Sequence, residues 1–367
     1  MSALPPRTRR NLLRIVPFGV IWFVLAQVFL ISDYAATGSF ADVPETAIAL
    51  TPGIYLFASL AVAAVGCLVG TVELFYLNER LSRYSLSAKL VAKTLFYIVL
   101  LGGVILVTFP VAAALEMRTG LGDPRVWDRL GSFLISKTSL ATGVQLGTSL
   151  VASLFYAEIA DHMGPQVLAN FLTGRYHSPK EERRVFLFSD MKDSTRIAER
   201  LGHQEFFQFL EAYYDALADA VVDSGGQVYQ YVGDEIVVTW PEEVGVRDGA
   251  CLRCVQQMKE DLAAEAEEFR TRFGLAPDFR AGLQAGPATT GELGALKKDI
   301  VFSGDVLNQT ARIQALCKEH GVDILVGDVL RARVHDDGAF TFRSVGRQLL
   351  RGRDDPVEVF ALTWSEP

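Results

Sequence analysis

Two stretches decide how this chain folds and what chemistry it can do: V-F-L-F-S-D-M-K-D-S-T at 185–195 and Q-Y-V-G-D-E-I-V-V-T-W at 230–240. The apolar run 185–188 reads as a buried strand, and Ser194 and Thr195 open a helical pattern that continues to Leu201, which leaves Asp190 at a strand end. In the second stretch, β-rich runs at 227–232 and 236–240 flank Gly233, Asp234 and Glu235, a hairpin signal that sets Asp234 at the turn. Pairing of that hairpin beside the first strand makes the two carboxylates converge.

Convergent carboxylates suit Mg²⁺, which prefers oxygen ligands and is commonly held by one or two carboxylates together with substrate phosphates. A third stretch, S-G-D-V-L-N-Q-T-A-R at 303–312, adds Asn308 and Arg312. Their spacing of four places them on one helix face. A planar Arg fork neutralises phosphoryl oxygens better than a Lys point charge, and phosphoryl transfer depends on positioning and charge neutralisation. A lone Asp after a strand is ordinarily a helix cap, and a lone Gly-Asp is ordinarily a turn. The four residues together point to a nucleoside triphosphate as substrate.

In that order and setting, Asp190, Asp234, Asn308 and Arg312 resemble the catalytic domain of the class III adenylate and guanylate cyclases, over about 183–362. The resemblance implies an α+β domain with a ferredoxin-like antiparallel sheet and helices. It also implies two Mg²⁺ or Mn²⁺ ions per active site, held by Asp190, Met191 and Asp234. Asn308 would orient the ribose, and Arg312 would stabilise the pentavalent α-phosphate. Family active sites form between two subunits, so a homodimer with two composite sites is expected. Lys297, Lys298 and Arg351 are further candidates for triphosphate contact. Adenylate cyclases usually read the base with a Lys four residues before the second metal Asp and an Asp or Thr seven before the Asn. Those positions are Gln230 and Val301 here. Gln can still donate and accept. ATP is the expected substrate on the family's commoner use; guanylate or pyrimidine nucleotide cyclase activity, or a catalytically silent cyclase-fold membrane receptor, are the alternatives.

The first 157 residues are different material. Apolar runs near 15–32, 52–72, 90–115 and 132–155 are each long enough to cross a bilayer core of roughly 30 Å. Four transmembrane helices in an all-α bundle are expected, with residues 158–182 as a helical linker and 183–367 as the catalytic domain. Arg7, Arg9, Arg10 and Arg14 precede the first run, and Arg80, Arg83 and Lys89 lie between the second and third, whereas Asp33, Asp42 and Glu45 follow the first. The positive-inside rule then puts both termini and the catalytic domain in the cytoplasm, at the cell (inner) membrane. Gly66-x-x-x-Gly70 and Gly143-x-x-x-Gly147 permit close helix approach, within one subunit by default or between two. No row of charges marks an ion path, which argues against a transporter.

Charge divides at the same boundary: residues 158–367 carry 23 Lys and Arg against 35 Asp and Glu, a balance of −12. Such a domain is a poor nucleic-acid binder. Cys251 and Cys254 form a C-x-x-C with only Cys67 and Cys317 elsewhere, too few for a zinc set, so core packing is expected. Beyond the first strand and the hairpin, the pattern predicts a helix near 247–272, strands near 279–284 and 299–302, and helices on one face of an antiparallel sheet.

Overall fold

The structure is a computed structural model that describes residues 6–37, 48–49, 51–77, 80, 86–163, 173–295, 298–335, 338–349 and 355–364. The chain divides into two compact units, Met1–Leu168 and Ala169–Pro367.

The first unit holds α1 (Pro6–Thr37), α2 (Pro52–Val72, prolonged by a π-helical turn at Glu73–Leu77), α3 (Leu86–Met117), α4 (Pro124–Leu134) and α5 (Lys137–Met163). Arg14–Ala35, Pro52–Leu77, Val91–Met117 and Lys137–Ala160 are long and apolar enough to cross a membrane. The expected fourth run, 132–155, starts too early. Asp123 caps a separate helix that begins at Pro124 and buries Val126, Leu130 and Phe133, and Ile135 (φ −100°, ψ 6°) ends it before the span begins. Ser132 therefore belongs to α4, an amphipathic helix that its short apolar face hides within a longer apolar run.

Gly66 shows why α1 and α2 lie so close. A Cβ there would sit 2.7 Å from the Phe18 carbonyl oxygen and 2.8 Å from Trp22 Cγ. Trp22 and Phe18 are fully buried against α2, and the Trp22 indole donates to Ser153 Oγ on α5 at 2.8 Å. The Gly66/Gly70 pair is thus used inside the chain, whereas nothing among the described residues lies within 4 Å of a Cβ built at Gly143 or Gly147.

The second unit runs β1 (Lys180–Met191), α6 (Ser194–Leu201), α7 (His203–Asp223), β2 (Gln227–Val232), β3 (Glu235–Pro241), α8 (Glu242–Val246), α9 (Ala250–Ala264), α10 (Ala266–Phe273), β4 (Phe279–Leu293), β5 (Asp299–Ser303), α11 (Asp305–Glu319), β6 (Ile324–Gly327), α12 (Asp328–Arg331), β7 (Phe340–Gln348) and β8 (Val357–Trp364). Its sheet has the order β2-β3-β1-β4-β6-β8-β7, with β5 paired to β4. Every pairing is antiparallel except β4 with β6. The α+β expectation holds, with a mixed rather than purely antiparallel sheet.

Alternation along the strands creates two apolar faces. Val185 and Leu187 of β1 join Tyr213 and Leu217 of α7 and Leu252 and Val255 of α9 in the larger core. Phe186 and Phe188 meet Val306, Leu307 and Ala311 of α11 on the reverse face. Helices therefore cover both faces, not one, because helical periodicity in sequence says which side of a helix is apolar and nothing about which side of the sheet it meets. The single helix expected at 247–272 is two, α9 and α10, meeting at Glu265 (φ −88°, ψ 0°). Cys251 and Cys254 are both buried in the core that α9 shares with the sheet, unbonded to each other.

Of the positions singled out in the sequence, Asp42, Glu45, Arg83, Lys297 and Arg351 lie outside the described residues, as does the middle of the expected linker.

Helix α11 lies directly on β4 where that strand has no side chain. A Cβ at Gly282 would stand 2.4 Å from the Gln314 backbone nitrogen, and one at Gly286 3.0 Å from Val306 Cβ. Backbone cannot swing aside as a side-chain tip can, so Gly282→Ala forces α11 off the sheet. A loss of about 2–3 kcal/mol, of the kind that overpacking brings, is expected in chemical denaturation of the second unit. An unchanged midpoint would show that α11 is not held at this distance.

Candidate active site

Asp190 ends β1, one register position from its edge, and its cross-strand partners are Glu235 on β3 and Arg280 on β4. Asp234 lies in the two-residue turn between Val232 and Glu235, where Gly233 takes φ +64°, a left-handed conformation that suits Gly and few other residues. Strand pairing carries that turn to the end of β1, beside Asp190.

Burial first, then the neighbouring Asp234, push Asp190 up to about 6, with Arg280 opposing. Glu235, on the same side of the pairing, is raised by burial and by the charges of both aspartates. Asp234 Oδ2 is buried with no hydrogen-bond partner. An unsatisfied buried carboxylate oxygen facing a second carboxyl is a site that lacks positive charge. Asp190, Asp234 and the main-chain carbonyl of Met191 are oxygen donors of the kind that Mg²⁺ or Mn²⁺ takes. Among the described residues no group of three His, Cys, Asp or Glu side chains is placed to hold a metal, so two carboxylates are the whole side-chain set.

The Met191 end is clamped from behind. Lys192 reaches Asp278 (2.6 Å) and Asp323, and Lys259 of α9 reaches the same two aspartates and the Phe279 carbonyl (2.7 Å). The Lys192 amide also donates to the Asp278 carbonyl at 2.8 Å. Although burial raises Asp278 and Asp323, hydrogen bonds from the two lysines outweigh it and leave both below the ordinary carboxylate range.

Asn308 and Arg312 stand one turn apart on α11, Asn308 exposed and Arg312 half-buried, and neither side chain has a hydrogen bond or ion pair among the described residues. The chain does not join either of them to Asp190 or Asp234. Gln230 is exposed on β2 and Val301 half-buried on β5. The two strands are neighbours, since the rings of Tyr229 and Phe302, each next in sequence to one of these positions, lie 4.9 Å apart. Lys298 is mostly exposed and lies 3.9 Å from Glu292. Lys297 and Arg351 cannot be placed.

Residues 177–363 match the family model of the adenylate and guanylate cyclase catalytic domain. The chain belongs to that family. An adenylate cyclase 2 of Rhizobium meliloti (strain 1021) is 35% identical over 210 residues, 57% of this chain and 58% of that protein. An adenylate cyclase of Anabaena cylindrica is 23% identical over 249 residues, 64% of this chain and 48% of that protein. The chain therefore spans only about half the length of these curated relatives. A bacterial light-regulated adenylyl cyclase structure superposes with a TM-score of 0.52 at 20% identity, covering 60% of this chain and 64% of that one, a likeness of fold.

The sequence reading missed three neighbours of the cyclase carboxylates: Glu235, Arg280 and Tyr214. Glu235 and Arg280 follow from strand register, which sequence alone leaves open. The Tyr214 hydroxyl donates to the Gly233 carbonyl at 2.7 Å, a contact across the fold that no local pattern signals.

The raised Asp190 carries a pH signature. Its folded value of about 6 exceeds the ordinary 3.8, so the folded protein binds this proton more tightly than the unfolded chain does. Its contribution is full at low pH and is lost as pH rises from about 4 to about 6. Asp278 and Asp323 are shifted the other way, and lose their contribution only as pH falls below their ordinary range. Metal-free protein should therefore melt at progressively lower temperature between pH 4 and 6, and Asp190→Asn should flatten that segment. An equal slope in both proteins would remove Asp190 as its source.

Proposed function

We propose that this chain is a membrane-anchored nucleotidyl cyclase that converts a nucleoside triphosphate, ATP first among them, to its 3′,5′-cyclic monophosphate and pyrophosphate, at two sites shared by a homodimer. The observation that carries it is the division of one reaction's parts: a buried carboxylate oxygen without a partner beside Asp190 at the β1 end, and an Asn/Arg pair on α11 whose side chains make no hydrogen bond or ion pair among the described residues.

In this reading Asp190, Asp234 and the Met191 carbonyl hold two Mg²⁺ or Mn²⁺ ions, which when bound supply Lewis-acid charge at the ribose 3′-hydroxyl and the triphosphate. Asn308 hydrogen-bonds the ribose and fixes the 3′-oxygen in line with the α-phosphorus. The new bond joins that oxygen to phosphorus, the bond to pyrophosphate breaks with its electron pair leaving on pyrophosphate, and the hydroxyl proton passes to solvent water. Arg312 meets the charge that gathers on the α-phosphate oxygens as this happens, and Lys298 and, in the same role, Lys297 and Arg351 meet the triphosphate. Gln230 and Val301 border the base. Gln230 offers both a donor and an acceptor there, which accommodates adenine and leaves guanine or a pyrimidine open.

In this reading the site is shared between subunits, as the resemblance to the family implies, and among the described residues no hydrogen bond or ion pair joins Asn308 or Arg312 to Asp190 or Asp234. The surface supports it: Tyr231 and Val232, on the edge strand β2, and Phe207 on α7 are 52%, 55% and 71% exposed. An apolar sheet edge of this kind is ordinarily covered. The four apolar helices anchor the enzyme, and the distribution of basic residues favours a cytoplasmic catalytic domain at the inner membrane, with the domains as 1–157, a linker 158–182 and 183–367.

Purified full-length protein incubated separately with ATP, GTP, CTP and UTP, with Mg²⁺ or Mn²⁺, should yield a cyclic monophosphate from one of them by mass spectrometry, and Asp234→Ala should abolish it. Asp190→Ala and Arg312→Ala chains, each inactive, should regain up to about a quarter of wild-type activity when mixed, since half of randomly assorted C2 dimers carry one intact site of two. Mixed dimers that form and stay inactive would sink the shared site; a folded dimer silent toward all four nucleotides would favour a receptor.

A further inference from the structure

The turn that carries Asp234 is closed by the pair Val232 and Glu235, at a sheet edge where Tyr231 and Val232 are exposed. The strand β2 also slips register between Val228 and Gln230. The carboxylate nevertheless stands beside Asp190 of another strand. A contact from beyond the hairpin adds to what its own edge pair supplies.

That support comes from α7. The Tyr214 hydroxyl donates to the carbonyl of Gly233 at 2.7 Å and lies 3.4 Å from the carbonyl of Glu235, so that it spans the residue between them, Asp234. Its ring is held in turn by Tyr231 of β2, with centroids 4.4 Å apart, and by Tyr213, which is fully buried in the core, at 5.3 Å. The helix behind it is anchored through Tyr213, Ala216, Leu217 and Ala220. Burial and then the Asp234 charge raise the Tyr214 phenol, which keeps it a donor at any physiological pH.

We propose that Tyr214 is a positioning residue for the metal-holding carboxylates: its hydroxyl fixes the Gly233–Asp234–Glu235 turn from α7, and so sets the distance at which Asp234 and Asp190 accept a divalent cation. The inference rests on the cyclase reading of those carboxylates. Tyr214 does not touch substrate or metal. It acts by removing a freedom that the turn would otherwise have to lose each time a cation binds, which is the way preorganisation raises affinity.

The test is Tyr214→Phe in the full-length chain, which keeps the ring and its two aromatic neighbours and deletes only the donor. Mn²⁺ binding is read directly, from loss of the free-ion electron paramagnetic resonance signal on titration with protein, beside Asp234→Asn as the non-binding reference. Dependence of turnover on Mg²⁺, the nucleotide KM and the melting temperature are read on the same samples. One net hydrogen bond corresponds to about a fivefold weakening of Mn²⁺ affinity, and the Mg²⁺ concentration for half-maximal activity should rise by a like factor while KM at saturating metal and melting temperature stay near wild type. Superimposable Mn²⁺ curves for wild type and Tyr214→Phe overturn the inference, as does weakening that merely tracks a fall in melting temperature. Wild-type protein that takes up no Mn²⁺ would instead overturn the metal reading of Asp190 and Asp234 themselves.

Discussion

The arrangement on which the catalytic unit depends is the enforced closeness of Asp190 and Asp234. Two carboxyls in a half-buried setting repel, and burial first, then the neighbouring Asp234, push Asp190 up to about 6. The fold brings them together by pairing β3 with β1, a pairing that extends from Arg184 with Pro241 to Asp190 with Glu235. Buried Val185, Leu187, Ile236, Val238 and Trp240 drive that ladder from one face, Phe186, Phe188 and Val237 from the other. The repulsion at its end is thus set against apolar burial along its length, at roughly 25 cal/mol per Å² removed from water. Strain of this kind persists where the surroundings over-determine it, and Lys192 and Lys259 bind the far side of the β1 terminus to Asp278 and Asp323.

The second half of the site depends on a different constraint, the closeness of α11 to β4. Because Gly282 and Gly286 expose bare backbone, α11 can lie flat on the sheet, with Val306, Thr310 and Ile313 inward and Asn308 on the outer side. Arg184, almost wholly buried, is satisfied by Thr239, Glu182 and Gln227 and lies over the Phe302 ring, tying β1, β2, β3 and β5 together. Among the described residues the side chains of Asn308 and Arg312 make no hydrogen bond or ion pair within the fold.

Sequence made the carboxylate hairpin and the Asn/Arg helix legible because each is local: a strand end, a Gly-Asp turn and a spacing of four can be seen within ten residues. The same locality located β5 to within a residue. What it missed was whatever depends on register or on the third dimension. Helices on both sheet faces, the parallel β4 and β6 pairing, Arg280 opposite Asp190 and Tyr214 behind Gly233 arise from contacts between segments separated by tens of residues. The break of α4 from the fourth span was lost for another reason. An amphipathic helix flush against an apolar one adds to the same hydropathy run, and only Asp123 with Pro124, read as a cap and first turn, signals a new start.

The membrane unit shows how an apolar bundle tolerates charge. Glu73 opens the π-helical turn of α2 and is buried, yet Lys93 of α3 pairs with it and the Tyr97 hydroxyl donates to its second oxygen at 2.8 Å. Each partner removes part of the cost of taking the carboxylate out of water, and a π-turn widens the helix where that side chain must turn toward α3. Trp22 and Ser153 do for polar groups what Glu73 and Lys93 do for charge, satisfying a donor that lipid cannot. These paired contacts fix α2 to α3 and α1 to α5 by hydrogen bonds rather than by hydrophobicity, which has no preference between a helix and a lipid tail. Polar contacts thus add to the apolar packing of Phe18, Trp22, Val65 and Val69 in holding these helices together.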